Sequence, residues 1–142
     1  AIGDAPKCVN VDSFCANCTS LVEVTIGDLG TPDGGWMFSG CSNLRRVNGV
    51  LNLSMLNPSR SHTIFTSCTS LEEVRIKGVK VHLNLQWSDK LSLESVRFLV
   101  DNLQKVSGGT ITLAQSIDDK WSDELVDLVA SAEDKGFAIS FR

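Results

Sequence analysis

Ile64-Phe-Thr-Ser-Cys-Thr-Ser-Leu-Glu-Glu-Val74 decides the fold, because its skeleton of Phe65, Cys68, Leu71 and Val74 has occurred once already, as Phe38, Cys41, Leu44 and Val47. A looser copy comes first: Cys18, Leu21 and Val24 keep the spacing, Phe14 lies one residue early, and Cys15 takes the aromatic position. Cys41 follows Cys18 by 23 residues, and Cys68 follows Cys41 by 27. Self-similarity at such a period is the mark of a solenoid, in which no unit buries its apolar face without a neighbour. Unequal spacing puts the insertions in surface loops. Thr31-Pro-Asp-Gly-Gly35 and Asn57-Pro-Ser-Arg-Ser61 have turn chemistry and lead into the Phe of the following copy.

After the Leu, the pairs Val24-Thr-Ile26 and Val74-Arg-Ile76 alternate β-branched residues and read as short strands. A second series of apolar pairs, Leu51-x-Leu53, Leu83-x-Leu85, Ile111-x-Leu113 and Ile139-x-Phe141, starts at intervals of 32, 28 and 28 residues. Helical segments separate the last three, giving β-α-β-α-β and therefore parallel strands. The first helix is expected from about Leu93 to Gln104. Ser92 caps it, Leu91 staples onto Val96, and Val96, Leu99, Val100 and Leu103 face inward. A second is expected from about Asp123 to Lys135, with Ser122 as cap, Trp121 stapled to Val126, and Leu125, Leu128, Val129 and Ala132 inward. Gly136 ends it. If Leu21, Leu44 and Leu71 stack in register, Glu23, Arg46 and Glu73 form one exposed column, with Asn48-Gly49 as the place where an added length of coil would shift that register.

The 142 residues suit a single domain, 1–142, with Phe-x-x-Cys-x-x-Leu coils over about 14–88 and helical repeats with a C-terminal cap over about 89–142. Net charge is −4, and the densest basic cluster is Arg45-Arg46, which argues against nucleic acid as a partner. Apolar runs are too short to span a bilayer, so membrane insertion is not expected. Five cysteines leave at least one unpaired in a monomer. Equivalent residues in stacked units lie about 4.8 Å apart with parallel side chains, whereas a disulfide needs converging Cβ atoms about 3.5–4.5 Å apart. Cys18, Cys41 and Cys68 are therefore expected as a column of buried free thiols. Cys8 and Cys15 lie outside it, and their pairing stays open.

Met37-Phe-Ser-Gly-Cys-Ser-Asn-Leu44 and Ile64–Val74 resemble the repeat phrase of BspA-like leucine-rich repeat proteins. Lys90-Leu-Ser-Leu-Glu-Ser-Val-Arg-Phe-Leu-Val-Asp-Asn102, followed by Thr110-Ile-Thr-Leu113, is similar to the C-terminal end of such proteins from gut bacteria and their phages. The resemblance covers roughly residues 14–142. The chain departs from the pattern at Cys15, where Phe is usual, and at Ser88, where the Cys would fall, which marks atypical end units. The resemblance implies a right-handed leucine-rich-repeat solenoid of α/β class. It implies a non-enzymatic recognition or adhesion module, extracellular or on a bacterial surface, or carried on a virion. No site residue comes with it.

The residues themselves point to no reaction. Cys15-x-x-Cys18 has the spacing of a redox or zinc half-motif, but no second pair follows and Cys18 belongs to the repeat. His62 and His82 stand apart from any ligand or base arrangement, and no serine has a nucleophile's context. Asp118-Asp119 and Asp123-Glu124 flank a helix start, where acidic residues are expected. No catalytic, metal or cofactor residue is assigned. Partner-binding candidates are Trp36, Arg46, Arg60, Arg75 and His82, with Thr25 on the same strand positions. Trp36 stands out because its loop position has no periodic core role, and Trp is enriched at binding hot spots. The expected partner is a protein or a glycan. The alternative is a tail or fibre component that associates with copies of itself.

Overall fold

The structure, a computed structural model, describes residues 13–27 and 34–142. Of the turn expected at Thr31–Gly35, residues 31–33 lie outside the described residues, as does Cys8. Each copy of the phrase folds as two linked tight turns. Cys41 N–H donates to the Phe38 carbonyl and Leu44 N–H to that of Cys41. Cys68 on Phe65, Leu71 on Cys68, Cys18 on Cys15 and Leu21 on Cys18 repeat the pattern. The three-residue spacing of the motif is thus the period of the turns. The residue before each Cys is left-handed: Asn17, Gly40 and Ser67 have φ of 60°, 75° and 59°. Neighbouring copies are joined by backbone hydrogen bonds, Cys15 N–H to Met37 and Asn17 N–H to Ser39, then Phe38 N–H to Ile64 and Gly40 N–H to Thr66. That ladder puts Cys15 level with Phe38 and Phe65.

The Phe38 and Phe65 rings stack at 5.6 Å, and both are fully buried. Each core thiol donates to the carbonyl at the aromatic position of the preceding copy: Cys41 Sγ to Cys15 O at 2.9 Å, Cys68 Sγ to Phe38 O at 3.0 Å. These cysteines therefore both fill the core and tie adjacent copies together. The expected thiol column holds at Cys41 and Cys68, which are free and buried, and fails at Cys18, which is free and exposed. Cys41 and Cys68 are each covered by an adjoining copy; Cys18 is in the first copy.

Three parallel strands follow the turns: β1 (Glu23–Thr25), β2 (Arg46–Asn52) and β3 (Glu73–Lys77), ordered β1-β2-β3. Glu23, Arg46 and Glu73 are register partners, as are Val24, Val47 and Val74. A bulge then intervenes, and Val50 rather than Asn48 opposes Arg75. Gly49 permits it: at φ 89° any Cβ there would fall on the Ile26 carbonyl oxygen. Leu51 consequently pairs with Ile76 in this sheet, so it does not belong with the later apolar pairs.

Those later pairs form the second sheet, β4 (His82–Leu85), β5 (Gly109–Leu113) and β6 (Phe137–Phe141), ordered β4-β5-β6 and parallel. Leu83, Ile111 and Ile139 align, as do Leu85, Leu113 and Phe141. A 3-10 helix, Pro58–Thr63, capped by Asn57, packs beside β4, with Ser61 Oγ donating to the His82 carbonyl. Two α-helices make the crossovers, α1 (Leu93–Asp101) and α2 (Gln115–Asp134), so the C-terminal half is β-α-β-α-β. Ser92 caps α1 by accepting from Ser95 N–H, and Val96, Leu99, Val100 and Leu103 are buried.

The second helix differs from expectation. It begins at Gln115 and kinks at Trp121, whose φ of −132° is not helical. Leu125, Leu128 and Ala132 are buried as expected and Val129 is half-buried. Val126, however, is 65% exposed, so the Trp121 staple does not form. Ile117 explains the longer helix: it is buried ahead of the kink, giving the first turns an apolar anchor of their own. Ser88 occupies the expected Cys position, buried, with Oγ donating to the Cys68 carbonyl at 3.2 Å. The whole is a mixed α/β chain with two small parallel sheets over one contiguous apolar cluster running from Val24 to Phe137.

Candidate functional site

In β1 and β3 alternation buries every second residue, leaving Glu23, Thr25, Glu73, Arg75 and Lys77 on the outer face of the first sheet. Arg46 joins them from β2. Both signs of charge occur on this face, and charged groups along the Glu23-Arg46-Glu73 row have side-chain partners. Arg46 meets Glu73 at 3.5 Å, and Glu23 accepts from the Asn48 amide. Beside it Arg45 grips Glu72 through two bonds, Nε at 2.9 Å and Nη2 at 3.1 Å. Those bonds hold the Glu72 carboxyl below its ordinary range and raise the Arg45 guanidinium.

Beyond β3 the sheet gains no fourth strand among the described residues. The N-terminus of α1 closes its edge instead: Ser92 N–H donates to the Glu72 carbonyl at 2.8 Å, and Ser95 Oγ accepts from Val74 N–H at 3.1 Å. The bulge on one side and the helix start on the other leave a groove of about 360 Å³ between them. Asn48, Gly49, Glu73, Arg75, Ser92 and Glu94 contribute to its walls. Arg75 lies 3.9 Å from the Glu94 carboxylate and 5.8 Å from the centroid of the Phe98 ring. The groove is thus lined by carboxylates, a guanidinium, an amide and hydroxyls, together with Val47 and Val74. Neither His nor Cys lines it. Its polar groups are hydrogen-bond donors and acceptors.

The structure separates the sequence candidates into two groups. Arg46, Arg75 and Thr25 share the outer face of the first sheet, and Arg75 lines the groove. Trp36, Arg60 and His82 lie together about the 3-10 helix. Trp36 N–H donates to Thr63 Oγ1, which itself donates to the Arg60 carbonyl, and Ser61 bridges to His82. Trp36 has φ 60° and is 45% exposed, so its ring does not fold into the core. Sequence reading missed Asn48, Glu73, Ser92 and Glu94 as groove residues. Asn48-Gly49 within a strand pattern was the available signal for a bulge; nothing local announces that the helix cap Ser92, 43 residues after Gly49, will face it.

No family model, curated protein or solved structure matches the chain. Among the described residues no helix is long and apolar enough to cross a membrane, and no group of three or more His, Cys, Asp or Glu side chains is placed to hold a metal ion.

Proposed function

We propose that the two sheets are parts of one leucine-rich-repeat solenoid of the BspA-like kind, acting as a non-enzymatic extracellular or cell-surface recognition module. On this reading the backbone ladder between copies, the thiol-to-carbonyl bonds and the registers of both sheets are the signs of one continuous stack. Strands occupy one face in the N-terminal coils, and α1 and α2 take that place in the C-terminal ones. The observation that carries the function is the polar groove beside Arg75. Its mixture of carboxylate, amide, guanidinium and hydroxyl groups suits a ligand rich in hydroxyls, so a glycan is favoured over an apolar peptide. The test is an arrayed panel of neutral and acidic oligosaccharides probed with the wild-type protein and with Arg75→Ala. Binding lost in the variant, with unchanged thermal unfolding, is the expected result. Equal binding by both, or no oligosaccharide bound at millimolar concentration, would count against it.

A second reading has one observation in its favour. β6, Phe-Ala-Ile-Ser-Phe, is an edge strand without a charged residue or proline, and such edges pair readily. A self-associating virion component would use it. Sedimentation at micromolar concentration separates the two, since a stable monomer fits the recognition module alone.

A further inference from the structure

Cys15 and Cys18 stand where later copies have Phe and Cys. In those copies both positions point the same way: Phe38, Cys41, Phe65 and Cys68 are all fully buried. The same turn therefore directs the Cys15 and Cys18 side chains to one side. Cys18 N–H bonds the Cys15 carbonyl at 3.1 Å, closing a four-residue turn around left-handed Asn17. Turns of this kind hold their outer Cα atoms within about 7 Å, and disulfides span Cα separations of about 4.4–6.8 Å. Both thiols are free, Cys15 half-buried and Cys18 exposed. Cys41, by contrast, is fully buried with its thiol committed to the Cys15 carbonyl.

We propose that Cys15 and Cys18 form a reversible disulfide by exchange with a low-molecular-weight disulfide such as oxidised glutathione. The exposed Cys18 reacts first. Its thiolate attacks one glutathione sulfur, the glutathione S–S bond breaks, and one glutathione leaves as thiolate and takes up the proton that Cys18 released. Cys15 then gives up its proton and attacks the Cys18 sulfur, expelling the second glutathione. Two protein thiols are oxidised, one glutathione disulfide is reduced to two thiols, and two protons move with them. Burial, and then the charge of Cys18, raise the Cys15 thiol above its ordinary range, which sets this order. The site is independent of the groove and of the proposed ligand. It makes the N-terminal turn a redox-sensitive element.

The test uses the full chain. Native protein is treated with oxidised glutathione at pH 8, alkylated, unfolded and cleaved before aspartates, which isolates Asp12–Gly27 carrying Cys15 and Cys18 alone. Cys8 falls in another fragment, and Cys41 in a third. The expected fragment is lighter by two hydrogens and has lost both alkylation sites, and dithiothreitol restores them. In Cys15→Ser a glutathione adduct is expected to remain on Cys18. Two alkylated thiols in the wild-type fragment, a persistent wild-type adduct, a link to the Cys41 or Cys8 fragment, or an unmodified Cys18 in Cys15→Ser would each overturn the proposal.

Discussion

Substituting Gly49 by alanine strikes a close approach between two copies. Gly49 and Gly108 have nearly the same backbone, φ 89° and 87°, but different surroundings. A Cβ at Gly49 falls on the Ile26 carbonyl oxygen of β1's copy, whereas at Gly108 nothing lies within 4 Å. Both alanines meet the left-handed penalty of about 1–2 kcal/mol, lessened by about 0.4–1 kcal/mol because alanine restricts the unfolded chain. Gly108→Ala should therefore cost about 1 kcal/mol. Gly49→Ala must in addition push a carbonyl away or open the bulge, an overpacking cost of about 1–3 kcal/mol. Urea unfolding followed by tryptophan fluorescence reads the difference: with a slope of about 1–3 kcal/mol per molar, the Gly49→Ala midpoint should lie about 1 M below that of Gly108→Ala. Equal midpoints would refute the close approach of β1 and β2 at the bulge.

Arg46→Glu puts a third carboxylate between Glu23 and Glu73 and should destabilise by about 0.5–2 kcal/mol at low salt, less at high salt; unchanged low-salt stability would argue against the column. Ser92→Ala removes the α1 cap and should cost about 1 kcal/mol, while Ser122→Ala, beyond the α2 kink, should change stability by less than about 0.5 kcal/mol in urea unfolding. Burial pushes the Cys68 thiol up to about 12, from an ordinary 9.0. The unfolded chain therefore loses this proton first as pH rises. Stability should be constant with respect to this group below pH 9 and fall between about 9 and 12, with a slope approaching about 1.4 kcal/mol per pH unit. Cys68→Ser abolishes that contribution, so the difference in stability between wild type and variant should shrink across the window when both are unfolded in urea.

The parts of the fold legible in the sequence were those that repeat. Val24, Val47 and Val74 share a register, and Leu83, Ile111 and Ile139 share another, because one local preference is used three times and stacking has only to bring the copies level. What escaped depends on neighbours absent from the local pattern. Cys18 has the spacing of Cys41 and Cys68 but not their cover, so identical chemistry gives an exposed thiol. Leu51 resembles Leu83 in its apolar alternation, yet the Gly49 bulge assigns it to the other sheet. Ser122 and Trp121 had a plausible capping pattern, but Ile117, buried further upstream, recruits Gln115–Lys120 into the helix and turns the cap into a kink. The candidate site was half legible: Arg46 and Arg75 follow from strand alternation. The groove arises only where a bulge meets a helix start from a later part of the chain.

The functional claim is tested most directly by nitrogen-15 NMR titration of the protein with the oligosaccharide that binds best on the array. Chemical-shift changes should concentrate at Asn48, Gly49, Glu73, Arg75 and Ser92. Changes concentrated at Trp36, Arg60 and His82 instead, or scattered without a centre, would contradict it.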